Sequence, residues 1–355
     1  MTPALLDRID QIDAAWIEAV LHGAGHDGAR VSAFRATPVG AGNVSDTVRL
    51  DIEYAAAADA PASVVAKFRP SDPAVHQHGL GSGAYHREIG AYRAISEKAA
   101  CRIPELYWVG GDETNINLVV EDLTQTATPG NQVAGCSVDE ARAVLTELAR
   151  VHSAFAPLDE ATAPAWPIRM ADVCDYWAGT TRTGADLALA RFRGRLDDRD
   201  LELVDTAGRR VREWYLLPQT RLTLTHGDPR VDNVLFERLD AGAVGAVVID
   251  WQVTGLRNPM YDVGYFLSGS IDAADRKAHE HALIDGYLEV YAAGGAEYGR
   301  DEALADYRTQ LLSGLMITTA AIAVLPDNEQ VNALICALLE RNCAAAADWD
   351  AFAGF

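Results

Sequence analysis

The chain has 355 residues, enough for two lobes or domains of the usual ~100–200 residues each. Its hydrophobic content of 49% supports a sizeable core, yet no apolar run reaches the ~18 residues that a membrane span requires. A formal net charge of −21 opposes binding to nucleic-acid backbones or anionic membranes, because no basic excess exists to replace counterions. The acidic balance suits a solvated surface, and a pocket for a cationic ligand is the other reading. Cys101, Cys136, Cys174, Cys336 and Cys343 are scattered without a CxxC pair, which argues against a disulfide framework or a zinc site and fits a reducing compartment. Residues 1–13 carry Asp7, Asp10 and Asp13 where a signal peptide needs positive charge, so a cytoplasmic location is expected.

Ile9, Ile12, Trp16, Ile17 and Val20 recur at helical spacing and predict an opening amphipathic helix. Strand-like runs follow at 31–38, 44–54 and 62–68, then a helix at 84–99 and strands at 105–109 and 116–120. From Ser137 the pattern turns helical: Ser137 and Glu140 form a capping box ahead of a helix at 141–155. Residues 157–219 separate that helix from strands at 221–225, 233–236 and 246–249. Helical patterns occupy 261–268, 279–291, 303–324 and 331–347. Strands first and helices after predict an α+β chain: a small mixed sheet lobe at 1–122, a larger helical lobe at 123–355, a hinge at 121–123 and the site between the lobes.

The segment His226-Gly227-Asp228-Pro229-Arg230-Val231-Asp232-Asn233 lies between two strand-like runs. Phosphoryl transfer to a hydroxyl needs a carboxylate to accept the hydroxyl proton and a nearby oxygen ligand to hold Mg²⁺ on the phosphates. Asp228 and Asn233 have the five-residue spacing by which protein kinases meet that need. Alone, the segment would better suit a polar turn whose Asp and Asn only bond the backbone. Val247-Val248-Ile249-Asp250 then delivers a second carboxylate at a strand end, where the other metal ligand is required.

Together these motifs resemble those of aminoglycoside phosphotransferases and choline-kinase-like small-molecule kinases, across residues 39–266. The resemblance implies a two-lobed protein-kinase-like fold, Mg²⁺ and ATP as cofactors, Asp228 as base, Asn233 and Asp250 as metal ligands, and Asp262 as anchor of the catalytic loop. Lys67, in Val64-Val65-Ala66-Lys67-Phe68, matches the third-strand lysine that meets the nucleotide phosphates. Glu88 matches its partner on the next helix, although Arg87 and Arg93 could hold Glu88 instead. Gly40, Gly42, Asn43 and Ser45 would form the phosphate-covering loop, with Ser45 departing from a third glycine; an ordinary hairpin turn is the alternative. Glu121 and Leu123 would meet adenine through backbone groups. Arg230 either stabilises charge on the transferring phosphoryl or bridges to Asp232. His76 and His78 stand in a glycine-rich stretch without an acidic third ligand and are not taken as a metal site. His152 is expected to pack or cap.

The acceptor is less determined. Trp166, Tyr176, Trp177, Trp214 and Trp251 could line a pocket for an apolar alcohol, cage a quaternary ammonium or fill core. His226-Gly227-Asp228 with Arg230 and Asn233 is similar to kinase-like domains associated with acyl-CoA dehydrogenases. Asp250-Trp251-Gln252 followed by Tyr261-Asp262-Val263-Gly264-Tyr265-Phe266-Leu267 is similar to ecdysteroid-kinase-like proteins. Both shades imply a hydroxyl on a largely apolar small molecule. The expected activity is transfer of the γ-phosphoryl of Mg·ATP to such a hydroxyl; a nucleotide-binding pseudokinase and a nucleotidyl transferase are the competing readings.

Overall fold

A computed structural model describes residues 2–39 and 45–355, so Gly40, Gly42 and Asn43 lie outside the described residues. The chain divides into two compact units, the first made of Met1–Lys98, Ile103–Ala127 and Asp250–Val253. Its elements are α1 (Ala14–Gly23), β1 (Val31–Pro38), β2 (Asp46–Tyr54), β3 (Ser63–Phe68), α2 (Pro73–Ser82), α3 (Ala84–Lys98), β4 (Leu106–Gly111) and β5 (Ile116–Glu121). The opening apolar pattern is not one helix: Asp13 accepts from Trp16 N–H as an N-cap, which separates a short turn at Ile9–Gln11 from α1. Residues 73–82, glycine-rich in sequence, are helical because Asp72 caps the Ala74 and Val75 N–H groups and Pro73 fits the first turn.

The sheet runs in the order β1-β2-β3-β5-β4, with every neighbouring pair antiparallel. Along β3 the two-residue side-chain period buries Val64, Ala66 and Phe68, which join Trp16, Ile17, Val20 and Leu21 of α1 in one core cluster. The same period turns Lys67 to the opposite face.

The second unit holds Ala99–Arg102, Thr128–Ile249 and Thr254–Phe355. β6 (Ala127–Pro129) leads into α4 (Val138–Ala154), β7 (Ile168–Arg169), α5 (Met170–Arg191) and α6 (Asp198–Tyr215). Then come β8 (Thr223–Thr225), β9 (Val234–Arg238), β10 (Val244–Val248) and β11 (Gly255–Arg257). The helices α7 (Met260–Ser270), α8 (Ala273–Ala293), α9 (Arg300–Gln310), α10 (Leu312–Val324) and α11 (Glu329–Asp348) complete it. The apolar pattern at 303–324 is two helices, broken at Leu311, where one was expected. Residues 157–219 supply α5 and α6, packed along each other.

All eleven residues of α7 are buried. The backbones of α5 and α10 approach so closely that a Cβ on Gly184 would stand 1.9 Å from the Thr319 carbonyl oxygen. Among the described residues no helix is long and apolar enough to cross a membrane.

Candidate active site

In the second unit, β8 ends at Thr225 and the chain turns through His226, Gly227 and Asp228 into a short 3₁₀ turn at Val231–Asn233 before β9. Gly227 has φ 88°, a left-handed conformation in which a Cβ would be strained. The turn is pinned from beneath by Asp262 of α7. Its Oδ2 accepts from His226 N–H at 2.6 Å and its Oδ1 from Gly227 N–H at 2.9 Å. His152 Nε2, buried on α4, donates to Asp262 Oδ2 at 3.0 Å, while Tyr287 O–H donates to His152 Nδ1 at 2.8 Å. Burial pushes the Asp262 carboxyl up, but the donors from His152 and Gly227 outweigh it, and its pKa lies below the usual 3.8. His226 Nδ1 accepts from Asp228 N–H at 3.2 Å, so its Nε2 donates to the Ile249 carbonyl at 2.9 Å.

Asp228 is thereby held on a rigid turn. Tyr265 O–H donates to its Oδ1 at 2.7 Å. Asn233 Nδ2 donates to its backbone carbonyl at 2.9 Å and to its Oδ2 at 3.2 Å. Arg230 Nε lies 3.4 Å from Asp228 Oδ2, and Nη1 lies 3.8 Å from Asp232 Oδ2, so the guanidinium faces both acids. A second clamp comes from Gln132, which is buried. Its Oε1 accepts from Val231 N–H at 2.7 Å, its own N–H donates to Asp232 Oδ1 at 2.8 Å, and its Nε2 donates to the Gly269 carbonyl at 2.8 Å.

In the first unit, Lys67 Nζ donates to Glu88 Oε1 of α3 at 2.7 Å and to Asp250 Oδ1 at 3.1 Å. Arg87 is engaged elsewhere, donating to the Gln252 carbonyl at 2.7 Å, and Arg93 donates to the Val109 carbonyl at 3.2 Å. Burial would lower the Lys67 pKa, but Asp250 and Glu88 outweigh it and hold the ammonium above its usual range. Burial raises Glu88, opposed by Lys67 and reinforced by the like charge of Asp250. Asp250 adopts φ 67°, a left-handed conformation uncommon for a residue with a Cβ, and Gln252 Nε2 donates to its Oδ2 at 3.3 Å.

The Leu123 carbonyl accepts from Thr126 and Ala127 N–H groups, while Glu121 N–H donates to the Glu105 carbonyl. Asp122, between them, accepts from Arg49 Nε at 2.5 Å, Ser63 Oγ at 2.6 Å and Thr124 N–H at 3.0 Å. Despite burial, these donors bring its carboxyl down to about 2. Ser45 is buried.

Other sequence-singled residues fall in place more simply. Trp214 and Trp251 are each 1% exposed and belong to the interior. Tyr176 is 60% exposed and meets Trp177 edge-on at 5.2 Å. His76 lies in α2 rather than in a loop, with Nδ1 3.2 Å from Tyr85 O–H. Tyr265, Gln132, Asp122 and Gln252 are contributors the sequence reading missed. The one available signal was the three-residue step from Asp262 to Tyr265, which places both on one face of a helix.

Asn233 turns its Nδ2 toward Asp228, which directs its side-chain carbonyl oxygen away from that carboxylate; a carbonyl or carboxylate oxygen is the kind of hard donor a small divalent cation takes.

Comparisons with known proteins bear on the fold and the family. No curated protein matches the chain in sequence. Among solved structures, the GDP complex of wild-type aminoglycoside 2'-phosphotransferase-IIIa is 13% identical, with a TM-score of 0.53 over 88% of this chain and 93% of that one. Choline kinase from Cryptosporidium parvum Iowa II is 12% identical, with a TM-score of 0.53 over 90% of this chain and 91% of its own. Plasmodium vivax ethanolamine kinase is 11% identical, with a TM-score of 0.50 over 88% and 82%. At these identities the likeness establishes the α+β protein-kinase-like fold. Residues 40–293 match the family model described as ecdysteroid kinase-like, and the chain belongs to that family of kinase-like small-molecule phosphotransferases.

Proposed function

We propose that the protein transfers the γ-phosphoryl group of Mg·ATP to a hydroxyl of a small, largely apolar molecule. The observation that carries this reading is the half-buried Lys67, whose ammonium meets both Glu88 and Asp250 while Asp250 sits in a left-handed backbone. Strain retained at a charged residue is a mark of function, and a lysine set between two carboxylates is organised for phosphate oxygens. Membership of the family supports the same chemistry.

In this reading Lys67 binds the nucleotide phosphates, Glu88 orients Lys67, and Asn233 and Asp250 hold Mg²⁺. Gly40, Gly42, Asn43 and Ser45 cover the phosphates. Leu123 N–H, whose carbonyl neighbour is already engaged, and the backbone of Glu121 meet the base. The metal would neutralise phosphate charge. Asp228 takes the hydroxyl proton as the acceptor oxygen bonds the γ-phosphorus; the bond to the β–γ bridging oxygen breaks and ADP leaves with its electrons. Arg230 stabilises charge on the transferring group. Functionally, residues 1–122 serve the nucleotide and 123–355 the acceptor.

Saturating Mg·ATP, at ~100 times Kd, adds about 2.7 kcal/mol of stability, which a melting experiment resolves. Asp228→Asn keeps that shift and loses ~10²–10⁴-fold in turnover, as expected for a general base. Asp250→Asn loses both. Phosphorylation is screened against alcohols, sterols, hydroxyacyl thioesters, choline-like cations and aminoglycosides. An absent melting shift in millimolar Mg·ATP, or near wild-type turnover by Asp228→Asn, would overturn the assignment.

A further inference from the structure

We propose that Tyr265 is a positioning residue for the transfer: its hydroxyl fixes Oδ1 of Asp228 and leaves Oδ2 to take the acceptor's proton. The inference rests on the kinase reading above and assigns work to a residue outside the motif that suggested it.

Tyr265 follows Asp262 by three positions on α7, so the two side chains leave the helix on one face. Asp262 takes the N–H groups of His226 and Gly227, and Tyr265 takes the side chain of the next residue, Asp228. Three consecutive residues of the loop are therefore referenced to a single helix, two through their backbone and the third through its carboxylate. That helix has little room to move. It is buried throughout; Gly264 lies so close to Leu311 that an added Cβ would stand 2.6 Å from its backbone; and Ser268 Oγ donates to Asn342 Oδ1 at 2.8 Å. Tyr261 stacks on the Tyr265 ring at 6.3 Å and 27°. The phenol is thus set by packing that does not depend on Asp228.

The carboxylate torsion of an aspartate is soft, so an unheld Asp228 would sample a broad range of orientations. The contacts on its two oxygens are unequal. Oδ1 receives the hydroxyl at 2.7 Å, whereas Oδ2 has Asn233 Nδ2 at 3.2 Å and Arg230 Nε at 3.4 Å. The short bond immobilises the group; the loosely engaged oxygen keeps the capacity to accept. Burial, and then the Asp228 charge, raise the phenol well above its usual range, so it stays a donor. During transfer the acceptor O–H proton passes to Asp228 Oδ2 as the new O–P bond forms, and Tyr265 keeps its own proton.

Tyr265→Phe removes only the hydroxyl and keeps the ring stack. The experiment compares wild type, Tyr265→Phe, Asp228→Asn and the double variant. It records initial rates of ADP release from Mg·ATP, with water and with the panel of hydroxyl compounds as acceptors, and melting with and without Mg·ATP. Loss of a hydrogen bond to a charged group predicts a fall in kcat of about 10–100-fold. KM for ATP and the nucleotide-induced melting shift should stay as in wild type. In the Asp228→Asn background, Tyr265→Phe should cost nothing further, because it acts only through the carboxylate. Should that background fall below detection, the kcat and KM of Tyr265→Phe decide alone. An unchanged kcat, an equal loss in both backgrounds, or a lost ATP-induced shift overturns the positioning role while leaving the kinase reading intact. Failure of the wild type to release ADP with any acceptor overturns both.

Discussion

Replacing Asp262 by Asn removes one charge and converts one acceptor into a donor in a site with no exposure to solvent. The carboxylate receives three donors: His226 N–H and His152 Nε2 on one oxygen, Gly227 N–H on the other. The amide does least harm with its nitrogen in the Oδ1 position, where it faces only Gly227 N–H. A charge-assisted bond worth about 1.5–3 kcal/mol is lost, and an N–H left without an acceptor adds about 1–3 kcal/mol. Relief from desolvating a buried charge offsets part of that sum. The net expectation is a loss of about 2–4 kcal/mol. At ~2–4 °C per kcal/mol, melting of the second unit should fall by about 4–16 °C. Urea unfolding followed by tryptophan fluorescence is the assay, with separate transitions fitted if the units unfold apart. The pH dependence has a definite sign. The Asp262 pKa is depressed in the folded protein, so its stabilisation is complete above the ordinary carboxyl range near 3.8 and is lost as pH falls through the folded value. The difference between wild type and variant should therefore be full at neutral pH and shrink in acid. A loss below about 0.5 kcal/mol at neutral pH would refute the anchoring argument, since surface substitutions reach that size.

Three further expectations follow from the same geometry. Gln132→Ala strips the acceptor from Val231 N–H, so exchange of that amide should quicken and stability should drop by about 1–3 kcal/mol; unchanged protection would contradict the clamp. Asp122→Asn should cost about 1 kcal/mol, discounted for screening of a partly solvated ion pair, with the deficit seen above the usual carboxyl range and fading as pH falls toward about 2. Gly184→Ala sets a methyl against the Thr319 carbonyl and should lower stability by about 1–3 kcal/mol; a neutral or stabilising result would mean that α5 and α10 separate easily.

The sheet of the first unit was legible because its strands alternate. Residues 48–54 and 62–68 carry the period of two that β2 and β3 show, and residues 116–120 carry the apolar run of β5. The helix α5 was not, whereas α6 carries a plain helical period in Leu201, Val204, Ala207, Val211 and Trp214 that went unread. Gly179, Thr180, Thr181, Thr183 and Gly184 are poor helix formers within α5, and their helical state is fixed by packing against α6 and α10. The break at Leu311 likewise leaves no local mark, since apolar residues recur on both sides of it. In the site, the spacing of Asp228 and Asn233 and the strand before Asp250 were visible as patterns. The anchoring role of Asp262 came from family resemblance rather than from its neighbours. Tyr265 and Gln132 were invisible because they reach the loop across 37 and 99 residues, and no periodicity encodes a contact between distant segments.

Asp250 belongs to the first unit although most of that unit ends at Ala127, and its bond to Lys67 spans 183 residues. Translation at ~5–20 residues per second leaves roughly 10–40 s between emergence of the lysine and of this carboxylate. During that interval the nascent amino-terminal sheet can close with Glu88 beside Lys67, but it lacks its last acidic group. A gene fragment ending after β5 therefore encodes an incomplete ammonium site, whatever the quality of its core. Exons, truncations or fusions cut at that point separate the lysine from half of its counter-charge. Any attempt to isolate the first unit as a fragment has to graft the four residues Asp250–Val253 back onto it.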